Sequence, residues 1–358
     1  MNWLTKLTAS HIRQLTPYQS ARRLFSSDNK KQIWLNANES PFTYEYSIDA
    51  SAFNRYPDCQ PSHLLKAYAD YADLAPNQIM VTRGADEGIE LLIRAFCESR
   101  KDNILICPPT YGMYAISAQT HDVGVVSAPL LPSFALDVAQ IIAKLDSVNI
   151  VFICSPNNPT GTRVNRKDIE LILAQCDQSK LVVIDEAYIE FDSHATVTEL
   201  LAKHSNLVIL RTLSKAFGLA GLRTGFVLAH SDIIQVLLKV IAPYPIAAPV
   251  AQIAGSALSQ ESIARIEGVV SSLQAEIQRI SKELAKLDEI QVMGDQCANF
   301  VLFRTAEKDA LLAYLIANGV TIRAQSKQLM LENCLRVTVG SKQQNDLFLS
   351  LVTNFFNE

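Results

Sequence analysis

Lys215 is the residue in this chain best suited to covalent chemistry. The apolar run Leu207 to Leu210 leads into Arg211-Thr-Leu-Ser-Lys-Ala-Phe-Gly-Leu-Ala-Gly-Leu-Arg-Thr-Gly-Phe226. A lysine held where a strand ends can be packed among neighbours and stripped of water. Desolvation disfavours the ammonium form and leaves an amine able to attack a carbonyl. Ser214 next to it is a hydroxyl donor, and Arg223 is a fixed cation, a pair suited to a phosphate. The expectation is a Schiff-base lysine beside a cofactor that carries a phosphate. Taken alone, a lysine in such a loop is more often a solvated surface group, so the cofactor's other contacts must be found elsewhere.

Asp185 directly follows the apolar run Leu181 to Ile184. A carboxylate there is costly without a partner, and a protonated heterocyclic nitrogen would be one. Read alone it serves as well as a helix N-cap. Asn158 and Tyr188 can each donate a hydrogen bond to a ring oxygen. Farther upstream, Arg83-Gly-Ala-Asp-Glu87 precedes Ile89, Leu92, Ile93 and Phe96, which share one helical face. The backbone N–H groups of Gly84, Ala85 and Asp86 would then sit at a helix N-terminus, which attracts anions. Together these residues match one cofactor, pyridoxal 5′-phosphate: Lys215 for its aldehyde, Asp185 for its ring nitrogen, the donors for its phosphate.

Several of these residues fall at the ends of predicted strands. Ile104–Cys107, Val123–Val126, Ile150–Cys154, Leu181–Ile184 and Leu207–Leu210 are short apolar runs, some separated by helical segments such as 165–176. That alternation predicts a mostly parallel sheet covered on both faces. In open α/β sheets ligands bind at the carboxyl ends of the strands, where the polar clusters converge. Residues 1–30 are polar and mixed and read as an N-terminal arm, helical in part. Three prolines between Pro243 and Pro249 mark a boundary. Beyond it lie an amphipathic helix over 257–288, strands near 299–303, 320–323 and 335–339, and helices near 306–317 and 343–355. The expected class is α/β: a large domain at 31–245 with a mostly parallel sheet flanked by helices, and a smaller C-terminal α/β domain at 246–358.

The 358 residues are 49% apolar and 19% charged, with a formal net charge of −4 and no basic tract. Nucleic acid and anionic membranes are therefore not expected partners. The seven cysteines are scattered without a C-x-x-C pair, as in a reduced, cytoplasmic protein, and the six histidines show no metal-ligand spacing with them. The N-terminal residues lack a signal-peptide apolar core, and Lys239 and the prolines interrupt the apolar stretch at 233–254.

Ser155-Pro-Asn-Asn-Pro-Thr-Gly161, Asp185-Glu-Ala-Tyr188 and Ser214-Lys-Ala-Phe-Gly-Leu-Ala-Gly-Leu-Arg223 resemble the fold type I aminotransferases. Leu15-Thr-Pro-Tyr-Gln-Ser-Ala-Arg22, Leu35-Asn-Ala-Asn-Glu-Ser-Pro41, Arg55-Tyr-Pro-Asp58, Pro109-Thr-Tyr-Gly-Met-Tyr114 and Leu335-Arg-Val-Thr-Val-Gly340 narrow the resemblance to the histidinol-phosphate aminotransferases. It runs from about residue 11 to the C-terminus. Ser40 and Ser155 depart from the family's pattern, where asparagine is common.

The resemblance implies the following roles. Lys215 is the Schiff-base lysine and proton shuttle, Asp185 pairs with the ring nitrogen, and Asn158 and Tyr188 contact the ring hydroxyl. Ala85, Asp86, Ser214 and Arg223 hold the cofactor phosphate, and Tyr111 stacks on the ring. Tyr56 reaches the cofactor phosphate of a neighbouring subunit, implying a homodimer with shared active sites. Arg336 binds the carboxylate of glutamate, and Arg323, Tyr18 and Asn38 help it bind a substrate phosphate. The implied reaction exchanges an amino group between L-histidinol phosphate and 2-oxoglutarate. Rivals are an aromatic amino-acid aminotransferase and a threonine-phosphate decarboxylase of the same fold. A cofactor-binding effector fused to DNA recognition would need a basic helix-turn-helix segment, which the chain lacks.

Overall fold

The computed structural model describes residues 3–16, 32–176 and 178–357. In chain order the strands are β1 (Ile33–Trp34), β2 (Ile79–Thr82), β3 (Asn103–Ile106), β4 (Gly124–Ser127), β5 (Ile150–Cys154), β6 (Leu181–Asp185), β7 (Leu207–Thr212), β8 (Gly225–Ala229), β9 (Gln291–Met293), β10 (Phe300–Arg304), β11 (Val320–Thr321), β12 (Arg323–Ala324) and β13 (Cys334–Thr338). Seven of them form one sheet in the order β2-β8-β7-β6-β5-β3-β4. Only β8 runs against its neighbours, β2 and β7; the remaining pairs are parallel.

Every residue of β2, β5, β6, β7 and β8 is buried. Both faces of the sheet are covered, so these strands are apolar throughout rather than alternating with polar residues. The two-residue period of the strand still sorts the side chains. Val151, Ile184 and Ile209 pack on one face with Tyr68 and Phe226. Phe152, Val183 and Val208 pack on the other with Ile89 and Leu92 from the helix Ala85–Phe96.

Register fixes the edge on which the polar residues meet. Cys154 lies opposite Asp185, and Asp185 opposite Leu210. Beyond them, Thr212 faces Gly225, which faces Thr82. The carboxyl ends of β2, β5, β6 and β7 therefore share one side of the sheet. β8 is an element that the sequence reading leaves inside a loop. Arg223 takes a left-handed backbone, φ 55°, and turns the chain into it.

Two glycines hold the start of the Ala85–Phe96 helix against this edge. Gly84 caps the helix at φ +80°, a conformation costly for other residues. A Cβ at Gly225 would lie 2.5 Å from the carbonyl carbon of Gly84. Only glycine at 225 lets β8 pass so close under the helix start.

The later strands form a second, antiparallel sheet in the order β12-β13-β10-β9. The amphipathic stretch expected at 257–288 is helical over Gln260–Leu284, and another helix, Ala248–Ala257, precedes it. The break arises because the Ser259 side chain accepts a hydrogen bond from Ser262 N–H and starts a new helix. β1 falls in the range expected for the large domain, yet it pairs with β11. Leu35 N–H donates to Thr321 O at 2.8 Å, and Thr338 N–H to Leu35 O at 2.8 Å. Backbone pairing thus ties residues 33–38 to the second sheet and carries Asn36 and Asn38 to the polar edge. In the arm, helices cover Trp3–Leu7 and Ser10–Arg13, whereas Tyr18 lies outside the described residues. Among the described residues no helix is long and apolar enough to cross a membrane.

Gly225→Ala is expected to cost on the order of 1–3 kcal/mol, because packed backbone must move, and to weaken phosphate binding at the displaced helix start. Urea unfolding and phosphate-ester binding measure the two effects. Wild-type values for both would show that the close approach is unimportant.

Candidate active site

A cavity of ≈ 490 Å³ opens at the carboxyl edge of the large sheet, a size suited to a small-molecule site. Among the described residues, every expected site residue except Tyr56 lines it. Tyr56 is 81% exposed and stacks on Tyr244 at 4.4 Å, away from the chain's own cavity.

One end is built for an anion. Ser214 follows β7, and its hydroxyl accepts from Thr212 Oγ1 at 2.9 Å and from Arg223 Nη1 at 3.4 Å. The helix beginning at Ala85 closes this end with its N-terminus. The Asp86 carboxylate accepts from Tyr111 OH at 2.8 Å and from Arg223 Nη2 at 3.3 Å. A carboxylate cannot hold a phosphate, so the part of Asp86 available to one is its backbone N–H. Tyr111 forms a wall of the cavity, its ring edge-on to Tyr114.

Asp185 lies in the cavity wall and is 2% exposed. Tyr114 OH donates to its Oδ2 at 2.6 Å, and Ala187 N–H to its Oδ1 at 3.0 Å. Burial pushes its carboxyl up to about 6; those two hydrogen bonds oppose the rise, Asp86 adds to it, and Lys215 opposes it least. A buried carboxylate answered mainly by neutral donors is short of a countercharge. A protonated pyridine nitrogen would supply that charge, and this is the observation by which the site fits pyridoxal 5′-phosphate.

Lys215 projects from the loop after β7, its Nζ 3.3 Å from Ala37 O and 5.6 Å from the centre of the Tyr188 ring. Burial lowers its amine to about 8, and Arg336 adds to the effect, while Asp86 and Glu39 oppose it. At neutral pH a usable share is uncharged.

Hydrogen-bond direction leaves suitable donors for a ring oxygen. Asn158 Oδ1 accepts from Arg336 Nη1 at 2.5 Å, so its Nδ2 remains to donate. Tyr188 OH accepts from Asn38 Nδ2 at 2.8 Å and keeps its own proton for donation. Asn38 is buried and also links to Thr338 of β13 through backbone and side chain. Its expected contact with a substrate phosphate is thus joined by a positioning role for Tyr188. Arg336 Nη2 donates to Asn36 O at 3.1 Å.

Sequence reasoning missed Tyr114 as a partner of Asp185, although its motif had been singled out. It also missed Cys154, Thr212, Gln325 and Gln328, which line the cavity. Register could have found Cys154, beside Asp185 on the neighbouring strand. No local pattern marks the glutamines.

The fold and the site together define an aminotransferase of the kind that uses pyridoxal phosphate. The family model for aminotransferases of class I and II matches residues 28–351. A histidinol-phosphate aminotransferase of Pseudoalteromonas atlantica is 55% identical, covering 99% of this chain and 96% of its own. The solved structure of the histidinol-phosphate aminotransferase from Clostridium acetobutylicum matches with a TM-score of 0.82 at 28% identity, over 91% of this chain and 99% of that one. The Sinorhizobium meliloti histidinol-phosphate aminotransferase, solved with pyridoxal-5′-phosphate, shares the fold with a TM-score of 0.87 at 21% identity, over 98% of this chain and 97% of that one. The chain belongs to the class I and II aminotransferases, within the histidinol-phosphate aminotransferase family.

The buried carboxyls give the cofactor-free chain a defined pH dependence. Burial raises Asp185 to about 6 and Glu190 to about 7. Between roughly pH 4 and 7 the folded chain keeps protons that the unfolded chain has released, so stability is expected to fall as pH rises through that window. Lys215 has the opposite effect at higher pH. Its folded value of about 8 is depressed, so the folded chain loses this proton first, and stability recovers from there toward roughly pH 10. Urea midpoints across both windows test this, with Asp185→Asn expected to flatten the lower one. An unchanged slope in that variant would contradict the burial penalty assigned to Asp185.

Proposed function

We propose that this protein interconverts L-histidinol phosphate and 2-oxoglutarate with imidazole acetol phosphate and L-glutamate, in histidine biosynthesis. One observation carries the substrate assignment. Arg323 of β12 and Arg336 of β13 are direct cross-strand partners, and both line the cavity. Like charges set opposite each other across a sheet are destabilising, and an anion between them offsets that cost. The cavity thus has a phosphate cup at Ser214 and Arg223 for the cofactor and a second anion site on the other sheet. A guanidinium pair accepts a phosphate monoester and a carboxylate in turn, as this exchange requires.

Bound pyridoxal phosphate supplies an electrophilic carbon and a cationic ring that takes up the electrons released at the substrate's Cα. Asp185 keeps the ring nitrogen protonated. Asn158 and Tyr188 donate to the ring oxygen, and Ser214, Arg223 and the N–H groups of Ala85 and Asp86 hold the phosphate. Tyr111 packs against the ring. The Lys215 amine, its proton affinity lowered, takes the Cα proton and returns it. Arg336 and Arg323 orient the substrate through its anionic group.

In this reading residues 31–245 form the cofactor domain, and residues 246–358 form a small domain bearing the substrate arginines. The arm, residues 1–30, brings Tyr18 to the substrate phosphate, with Asn38 beside it. The protein works in the cytoplasm as a homodimer with shared sites. The exposure of Tyr56, Phe53, Trp3 and Leu7 supports a second copy as their cover.

Purified protein loaded with cofactor is expected to form glutamate from histidinol phosphate and 2-oxoglutarate. Arg323→Ala is expected to raise the KM for histidinol phosphate about tenfold or more, from loss of a charge-assisted contact, with cofactor affinity unchanged. Carbon dioxide release from threonine phosphate without glutamate formation would replace this reading with the decarboxylase.

Shared sites predict complementation. Tyr56→Phe and Lys215→Ala chains, each impaired alone, should form hybrid dimers with one intact site after mixing and refolding. Activity that does not rise above the sum of the parents would place Tyr56 outside the partner's site.

A further inference from the structure

We propose that Tyr114 is the positioning residue for Asp185, holding the carboxylate in the orientation that meets the cofactor's ring nitrogen. The inference rests on the reading that Asp185 faces that nitrogen. Each carboxylate oxygen offers about two acceptor directions. Tyr114 OH takes one on Oδ2 at 2.6 Å and Ala187 N–H takes one on Oδ1 at 3.0 Å. With both oxygens tethered, the plane of the carboxyl is fixed and the remaining acceptor directions are left for a ligand.

The tether is itself rigid. Tyr114 is fully buried, and its ring stacks on Phe152 at 4.9 Å with an interplanar angle of 11°. Tyr111 meets it edge-on at 5.6 Å and donates to Asp86 at the phosphate end. The start of the Met113–Thr120 helix therefore links the two ends of the site through one aromatic stack. The groups that bear on Asp185 electrostatically include Tyr114 itself, Cys154 at the end of β5, Asp86 on its helix, Tyr188 after β6 and Lys215 after β7. Burial and the Asp185 charge both hold the Tyr114 phenol well above its ordinary value, so it stays a donor.

Tyr114→Phe removes the hydroxyl and retains the stacked ring. The cofactor-free variant, titrated with pyridoxal phosphate, is expected to bind it about 10- to 100-fold more weakly, as for a lost hydrogen bond to a charged group. The visible absorption of the bound cofactor should change its pH dependence, and kcat should fall more than KM rises. A double-mutant cycle with Asp185→Asn separates the possibilities. A residue acting through Asp185 adds little further loss once Asp185 is neutral; a fully additive loss means a structural role and overturns the proposal. If Asp185→Asn weakens binding and Tyr114→Phe does not, the proposal fails and the reading of Asp185 stands. If Asp185→Asn itself binds and absorbs like the wild type, the reading of Asp185 fails and the proposal with it. Tyr114→His keeps a ring donor and serves where the phenylalanine variant does not fold. Cofactor affinity within about threefold of wild type, well inside one lost hydrogen bond, supports the assignment, and affinity as weak as that of Asp185→Asn overturns it.

Discussion

Hydrogen-bond register in a parallel ladder cannot be shifted by one residue without turning every side chain to the opposite face. β5, β6 and β7 are buried on both sides, so a slip would expose no face to water and would instead break the packing of both cores at once. That constraint sets Cys154, Asp185 and Leu210 in one row. Asp185 is the last residue of its strand, and Lys215 follows β7 by three residues. The distance between the carboxylate and the amine is thus a property of the sheet more than of the loops.

The anion end depends on a different tolerance, the absence of two Cβ atoms. β8 returns against the parallel strands and begins at Gly225, directly under Gly84. Arg223, two residues earlier, leans over Gly84, where a Cβ would lie 2.6 Å from Nη2. The helix start, the arginine and Ser214 are compressed into one small cup. A larger side chain at either glycine would separate the helix N-terminus from the cation, and the cup needs both.

The sheet was legible because β5, β6 and β7 are unbroken apolar runs that end in polar clusters, and the strand-end rule then pointed to one edge. Lys215, Asp185, Asn158 and Tyr188 followed from that geometry, while Arg323 and Arg336 needed the family resemblance. Their cross-strand pairing is a long-range register that neither local sequence reveals. β8 was hidden because its apolar residues follow a polar turn with a positive φ at Arg223. β1 was hidden for another reason: its two residues become a strand only through β11, nearly three hundred positions away. Tyr114 sits in a helix with no clear amphipathic stripe, so periodicity gave it no role, and only the bond to Asp185 does.

The distribution of cations explains why Asp185 is answered mainly by neutral donors. Asp185, Glu186 and Glu190 crowd the end of β6. Arg211 of β7 is buried, and its Nε and Nη2 both reach Glu186 Oε2, at 2.9 and 2.8 Å. Thr196 Oγ1 and Val197 N–H complete the shell of Glu186. Removing either partner of a buried pair like this leaves an uncompensated charge, so Arg211 is committed. It also lowers the proton affinity of Glu190, which burial still lifts to about 7. Arg223 leans on Asp86, and Arg336 on Asn158 and Asn36 O. Among these placed cations Lys215 bears on Asp185, and weakly. Arg336 and burial drive the same lysine toward its neutral form. The buried Arg211 therefore serves to fix β6 to β7, while the buried Arg336 and the more exposed Arg223 engage other partners. A cationic ring nitrogen facing Asp185, as proposed above, would supply the countercharge that the protein's own side chains give it only weakly.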